Sequence, residues 1–581
     1  MERISVMKKV WLSGLLTILI ILCISGCSKN DGSTGGSSSD NAVISGAADF
    51  DPGQPSNSEK RGNDSAESNT LDGHSDADSH DAVDQGGSDN DKTTSYAAGS
   101  KSPDSAVPDG ATIENPVASI ARARIIDASK VKLLDVPETP LPDFTAVSEL
   151  YEAFSSQISE NKKEFAKQKT APCIYITTEE KRSILSKDEY VASIIDVFNC
   201  DAEYELSAAA GVKVRGNSTA DQSEDEKPYR IKFEKKQNML GLNGGQKFKS
   251  WVLLRSYWNL APDYMGFELA KTIFDGKYYS SDCCYVNLYI NGEYRGLYLL
   301  CEQNQAAKGR VGVNEPKADE YGLATGYYIE MDNYAGDEHP YFSLDHKKVD
   351  LTDVSGNTRQ TFSRNYSIKS DINTKEQLYF IRDYITGCYD ILYEAAEHDA
   401  AYMFDENMNA VPADGRYGSA REAVEAVMDL DSLTNMLILE ELVHNYDVGA
   451  GSFFMAVDFS EESIYEKLTF LAPWDFNWAY YESGSEYFAC TFQKVMDDGY
   501  DRSNIWFITA MKAEWFRDIV KDKWKVLNDA SAIENTANRV VNACEKLSGD
   551  LGDEAWKVEM VKNIRTFVND RRKWLDTQWS K

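Results

Sequence analysis

The sequence predicts an α+β protein of two lobes, the first rich in strands and the second mainly helical, behind a long unstructured N-terminal stretch. Three observations carry this prediction. Residues 28–117 are mostly Ser, Asp, Gly and Asn, with almost no large apolar side chains. Residues 173–302 hold several short runs of period-two alternation, punctuated by glycine turns. Beyond residue 376 the apolar residues recur mainly at helical spacing. At 581 residues, 42% apolar and 11% aromatic, the chain has ample length for a sizeable core beside its non-globular part.

Lys8 and Lys9 precede an apolar run from Val10 to Ile24, too short for a membrane span and right for a signal-peptide core. The run ends in Ile24-Ser25-Gly26-Cys27, which resembles the lipobox of bacterial lipoproteins. That resemblance implies a signal peptide of residues 1–26 and diacylation of Cys27, a two-chain anchor. The protein would then be tethered to the outer face of the bacterial cytoplasmic membrane. An ordinary secretory signal or an anchor helix is the plainer alternative.

Residues 27–117 hold 17 acidic and 5 basic residues, a balance of −12 within the formal −33 of the whole chain. Such a segment buries too little to offset its ordering entropy and reads as a disordered acidic tether. The body from Ala118 onward keeps −23, which excludes nucleic acid as a partner, since phosphate neutralisation needs Lys and Arg. Basic protein surfaces are its electrostatic complement, although solubility alone accounts for the charge. Beyond Cys23 and Cys27, eight cysteines are scattered without CxxC spacing, which speaks against zinc and for buried free thiols, with an occasional disulfide allowed outside the cell.

Order is expected from about Ile120. Leu150 to Lys167 reads as a helix, followed by strands at Cys173–Thr177 and Val191–Phe198. GVKVRGNST is a strand ending in a glycine turn at Arg215 to Thr219. In PYRIKFEKK, Tyr229, Ile231 and Phe233 fall on one face and Arg230 and Lys232 on the other. Lys249 to Arg255 is the third strand of this set. Pro262 suits the first turn of a helix running to about Phe274, with Met265, Leu269 and Ile273 spaced for burial. Tyr285–Ile290 and Tyr294–Cys301 form a hairpin across Asn291-Gly292. Three strands, a helix and two strands, then Glu302, follow the order of a protein-kinase small lobe up to its hinge. The β-rich lobe is therefore placed at residues 118–302 and the helical one at 303–581.

Residues 303–374 read as loop with one strand at Gly326–Met331; Glu376–Glu397, Ala420–Asn445 and the stretch after Asn504 read as helical. Trp515, Ile519, Trp524 and Leu527 form a core stripe in the last. The helix capped near Asp431 stops at His444-Asn445, and Asp447 then sits in a loop softened by Gly449 and Gly451. Ser452–Val457 and Lys467–Ala472 read as an antiparallel pair. A hairpin brings its two ends together, so Asp447 before it and Asp475 after it are delivered to one place. A loop Asp, a hairpin and a second Asp is the order protein kinases use for their catalytic and metal-binding aspartates. His444 precedes Asp447 by three positions rather than two and reads as a helix C-terminal cation or a packed ring.

Taken together, GVKVRGNST, KPYRIKFEKKQNMLGL, KSWVLL, YVNLYINGEYRGLYLLCEQ, DVGAGSFFMAVD and LTFLAPWDFNWAYY resemble the CotH family of atypical secreted protein kinases, over roughly Cys173 to Trp524. The resemblance implies a two-lobed kinase-like fold, ATP with Mg²⁺ or Mn²⁺, and phosphoryl transfer to Ser or Thr of a protein. It makes Asp447 the carboxylate that orients the attacking hydroxyl and Asp475 a metal ligand. Ser452 stands five residues after Asp447, where ordinary kinases carry a metal-binding Asn, and is a weaker ligand; Asn477 is the substitute. Trp474 is either a stacking face for adenine or a core ring. Arg215, Arg230 and Lys232 are candidates to clamp the phosphates, with Lys249 and Arg255 competing. Asn217 and Ser218 line the glycine turn, and Ala220 stands where the family carries an aromatic. Glu302 falls at the hinge beside adenine, or else braces the fold in an ion pair. Two other readings compete: a non-catalytic CotH-like surface adhesin, and a glycosidase using Asp447 and Asp475 as its acid/base pair.

Overall fold

The computed structural model describes residues 115–580, apart from 135–138, 224–225, 256–259, 337–339, 347–350, 353–357, 360–362, 446, 481–487 and 489–503. The expected signal peptide, Cys27 and nearly all of the acidic segment expected to form a tether lie outside the described residues.

Three helices lead in. α1 (Pro116–Ala123) opens inside the stretch assigned to the tether. Its start has a local cause: the side chain of Asn115 accepts from the Val117 amide at 3.1 Å, and proline occupies the first turn. α2 (Thr145–Ala153) and α3 (Ser155–Gln168) replace the single helix expected at 150–167, broken at Phe154.

Seven strands then close into a barrel: β1 (Cys173–Thr178), β2 (Val191–Phe198), β3 (Leu206–Val214), β4 (Tyr229–Gln237), β5 (Phe248–Leu254), β6 (Cys283–Ile290) and β7 (Glu293–Glu302). Their order is β1-β2-β3-β4-β5-β7-β6, and the parallel pairing of β1 with β6, Cys173 opposite Asn287 through Ile176 opposite Ile290, shuts the ring. The expected small-lobe pattern began only at β3, so the two strands placed outside it are the ones that remove the sheet's open edges. Ile176, Val212, Ile231, Phe233, Trp251, Val286 and Tyr298 fill the interior. Outside, the register aligns Lys213, Arg230, Val252, Cys301 and Cys283 in one row across five strands. The row is charged at its β3–β4 end. Its β5–β7 end packs into the main core against α4 (Pro262–Phe274), which runs between β5 and β6.

The second half is built on a five-stranded sheet ordered β12-β11-β8-β10-β9, comprising β8 (Gly326–Met331), β9 (Tyr341–Asp345), β10 (Ser363–Ile368), β11 (Phe453–Asp458) and β12 (Thr469–Phe470). Only β8, β11 and β12 were legible. β9 is a half-exposed outer strand, and β10 opens on the polar Ser363-Arg364-Asn365, so neither shows a clear apolar run. The helices of this half are α5 (Lys375–His398), α6 (Ala420–Glu425), α7 (Leu430–Val443), α8 (Ile505–Ala510), α9 (Glu514–Asp529), α10 (Ala532–Glu545), α11 (Ser548–Leu551) and α12 (Lys557–Trp579). The helical stretch expected over 420–445 is two helices, and α7 is capped two residues before the expected Asp431, by Asp429, which accepts from the Ser432 amide at 3.0 Å. α7 is the central helix: every residue from 432 to 443 is buried. α11 returns to the barrel, where buried Asp550 accepts from the Thr170 and Ala171 amides, both at 2.7 Å, and from Asn287 Nδ2 at 2.9 Å.

The cysteines among the described residues are all free, five of them buried. No helix among the described residues is long and apolar enough to cross a membrane. Trp524 and Leu527 are core residues, with Trp515 and Ile519 packed against them.

Candidate functional site

The site is reached through the end of α7. His444 takes a left-handed conformation (φ 57°) and stops the helix, and its buried ring lies 6.2 Å from that of Phe567, so it is a packed ring. Asn445, also buried, donates from Nδ2 to Glu440 Oε2 at 3.0 Å and accepts the Asp447 amide on Oδ1 at 3.1 Å. Asp447 opens a single 3₁₀ turn to Gly449, and its carbonyl accepts from the Ala450 and Gly451 amides at 3.0 and 2.9 Å. The turn is held from two other sides: Asn504 Nδ2 donates to the Val448 carbonyl at 2.8 Å, and Arg364 Nε to that of Gly449 at 2.8 Å. Ser452 is left-handed (φ 53°) and turns the chain into β11, which starts one residue later than expected. β11 pairs antiparallel with β12, Met455 opposite Phe470 and Ala456 opposite Thr469.

Beyond β12 the chain reaches Asp475, also left-handed (φ 61°), whose Oδ1 accepts from Asn477 Nδ2 at 2.7 Å. Trp474 is buried; its ring lies 5.3 Å from Phe267 on α4, and the Arg215 guanidinium sits over it at 5.5 Å. Phe476 presses on Gly266, where no larger residue has room, and its amide donates to Asp263 Oδ1 at 3.1 Å. Burial first, and the neighbouring Asp475 second, push the Asp263 carboxyl up to about 7, against the pull of the Phe476 amide and Arg215. Arg215, Asp263, Trp474, Asp475 and Asn477 thus meet where β3, α4 and the hairpin converge. Asp263 was missed. Second in a proline-led helix, it reads as an ordinary residue favoured by the helix dipole, and spacing gives no other signal.

The remaining basic candidates belong to the barrel. Arg230 is nearly buried in the outer-face row beside Lys213, whose ammonium lies 5.0 Å from the centre of the Tyr190 ring. Lys232 is half-buried two residues along the same face, opposite Gly211 and Ser250. Lys249 lies near the start of β5, half-buried. Arg255 pairs with Glu554 at 3.2 Å and sits over Tyr298 at 5.4 Å, which ties it to the C-terminal segment. Gly216 (φ 87°) makes the turn after Arg215, and Asn217 Oδ1 accepts from Lys187 Nζ at 2.8 Å. Glu302 is buried in an ion pair with Arg310 Nε at 3.1 Å, and also accepts from Asn243 Nδ2 at 2.6 Å and the Asp282 amide at 2.9 Å. Its carboxylate is bound up in bracing the end of the barrel.

Glu440 was missed as well. It is fully buried, and burial pushes its carboxyl up to about 8; Asn445 opposes the rise while Asp447 and Glu441 add to it. Burial raises the Tyr480 phenol, with Asp263 and Glu440 both contributing. A chain of electrostatic neighbours therefore runs from Asp447 through Glu440, Tyr480 and Asp263 to Asp475. Among the described residues no group of three or more His, Cys, Asp or Glu has metal-holding geometry. The donors near Asp475, two carboxylates and the Asn477 amide, instead fit a magnesium ion that takes one or two carboxylates and fills its octahedron with phosphate and water.

Fold and site together define an α+β protein in which a closed barrel, a proline-led helix and an aspartate-flanked hairpin converge on one polar cluster. Residues 212–575 match the family model for CotH kinase protein, and the chain belongs to that family. No curated protein matches the sequence. The matched span encloses every candidate site residue from Arg215 to Asn477 and leaves Cys27 outside.

Proposed function

We propose that this protein is an extracytoplasmic protein kinase of two lobes, held at the outer face of the bacterial membrane by lipid on Cys27, that transfers the γ-phosphoryl group of ATP to Ser or Thr of a surface or secreted protein. The observation that carries the reading is the family match, which spans both aspartate loops and the Arg215 turn. Bound Mg²⁺ or Mn²⁺ would neutralise phosphate charge and align the transferred group. Asp475, with Asn477 beside it and Asp263 behind it, would hold that ion. Ser452 is available as a further, weaker ligand. Asp447, on its pinned turn, orients the acceptor hydroxyl and takes its proton as the bond to phosphorus forms. Arg215, lying over Trp474, is the cation best placed to clamp phosphate, with Arg230 and Lys232 further along the barrel's outer face. The hinge role of Glu302 would fall to its backbone, because its carboxylate is engaged by Arg310. The acidic body favours basic acceptor segments.

Ser452 favours a second reading, a non-catalytic CotH-like surface protein, since the amide of ordinary kinases is missing there. Thermal shift with ATP and Mg²⁺ or Mn²⁺, followed by a metal-dependent autophosphorylation assay, decides between them. A shift with transfer supports the kinase; absence of transfer, with or without a shift, supports the non-catalytic surface protein, and no shift at millimolar nucleotide counts against the kinase.

A further inference from the structure

A carboxyl group buried without full hydrogen bonding is costly, and a fold retains one where it does something. Glu440 is such a group. Its side chain is wholly buried in α7, and among the described residues its Oε1 has no hydrogen-bond partner. Its Oε2 accepts from Asn445 Nδ2 at 3.0 Å, and its carbonyl accepts from the Asn445 amide, also at 3.0 Å. Asn445 is thereby gripped at side chain and backbone, with its amide plane fixed and Oδ1 aimed at the Asp447 N–H, 3.1 Å away. The helix ends one residue earlier at left-handed His444, whose amide shares the Glu440 carbonyl with that of Asn445, so the helix-end bonding stops at Asn445. Asn504 and Arg364 hold the carbonyls of Val448 and Gly449, whereas the Asn445 side chain holds the Asp447 amide, where the chain enters the turn.

We propose that Glu440 is a positioning residue for Asp447, acting through Asn445 to set where the Asp447 carboxylate stands. The inference rests on the kinase reading for what Asp447 does, but the pinning itself can be read without any activity. Displacement of a reacting carboxylate by about 1 Å costs on the order of a hundredfold in rate while leaving nucleotide contacts intact. Glu440→Gln keeps shape and an acceptor for Asn445; Glu440→Ala and Asn445→Ala remove the link from its two ends.

The test compares the full chain and these three variants by amide hydrogen exchange over residues 445–451 and 473–480, by thermal shift with ATP and Mg²⁺, and by steady-state transfer. In Glu440→Ala and Asn445→Ala, exchange over 445–451 is expected to quicken at least tenfold, with 473–480 unchanged. In both, kcat falls about tenfold to a hundredfold, while KM for ATP and the nucleotide shift stay within twofold. Glu440→Gln restores kcat and protection, which a merely space-filling role would not single out. If Glu440→Ala fails to fold, Asn445→Ala and Glu440→Gln carry the comparison. Unchanged exchange over 445–451, or a loosened loop with wild-type kcat, overturns the proposal. A loosened loop in a wild-type background that shows no metal-dependent transfer leaves the pinning standing and overturns the kinase reading instead.

Discussion

Asp263 at the start of α4 and Asp475 at the end of the hairpin are electrostatic neighbours, joined through the Phe476 amide that donates to Asp263 at 3.1 Å. Two carboxylates so placed resist being ionised together, and the more buried one, Asp263, keeps its proton up to about 7. Such a pair is an unfavourable arrangement for stability alone. It becomes favourable when a cation arrives, because the same repulsion then turns into ligand charge.

The first prediction concerns pH. Asp263 and Glu440 hold protons in the folded protein up to about 7 and about 8, against ordinary values of 3.8 and 4.5. Between roughly pH 4 and 8 these two groups bind more protons in the folded state than in the unfolded one, so their contribution to stability falls as pH rises through that window, while His346, held neutral by burial, opposes them below its ordinary value of 6.5. Asp263→Asn and Glu440→Gln remove the titrating groups and should flatten the decline. Urea midpoints at pH 5, 6.5 and 8 measure it. Variant and wild-type midpoints that run parallel from pH 5 to 8 would contradict the buried, protonated carboxyls.

The two hairpin aspartates should separate functionally. On the proposed kinase reading, Asp475→Ala is expected to lose both transfer and the metal-dependent part of the nucleotide thermal shift, since it removes the carboxylate assigned to the metal. On the same reading, Asp447→Ala should lose transfer by about a hundredfold or more yet keep that shift, because its carboxylate is assigned to the acceptor rather than to the metal. Parallel loss of the shift in both variants would mean that Asp447, too, is a ligand.

How far the site could be seen in advance depends on which distances sequence carries. The hairpin was legible because alternation and turn residues specify a two-strand pairing locally, and β11 does pair antiparallel with β12. Pro262 likewise announced α4, whose bounds are as expected. Asp263 and Glu440 were invisible for a different reason. A carboxylate in a helix reads as a solvated face, and only the packing of α4 under the hairpin and of α7 on all sides reverses that. Barrel closure was hidden for the same kind of cause: the parallel contact of β1 with β6 joins strands more than a hundred residues apart, and no local pattern encodes it. Arg230 and Lys232 were correctly put on one face of β4, while the packing that makes Arg230 nearly buried was not foreseeable from alternation.

Glu302 offers a stability prediction. Its partner Arg310 is buried with it, donates also to the Ser250 carbonyl at 2.9 Å, and lies over Phe248 at 3.9 Å. Arg310→Ala strands a buried carboxylate and should cost about 3–5 kcal/mol in denaturant unfolding. Glu302→Gln, which keeps hydrogen bonds and removes the charge, should cost clearly less. Equal losses would show that breaking the buried pair, whichever charge is left behind, sets the effect, because Glu302→Gln leaves the packing of Arg310 intact.

Ser452 allows the strongest test of how this chain departs from ordinary kinases. Its left-handed backbone (φ 53°) strains most residues, but Asn is among the few that adopt it readily, so Ser452→Asn places an amide there without penalty. The thermal midpoint without ligand should stay within about 1 °C of wild type or rise slightly. If Ser452 is a weak ligand in a working site, the added amide oxygen should tighten Mn²⁺ binding, read by electron paramagnetic resonance titration, and lower the metal concentration needed for half-maximal transfer. A hard divalent ion gains from each oxygen that completes its shell. Unaltered Mn²⁺ affinity in a folded Ser452→Asn variant would place position 452 outside the metal's reach and leave Asp475 and Asn477 as the hairpin's contribution.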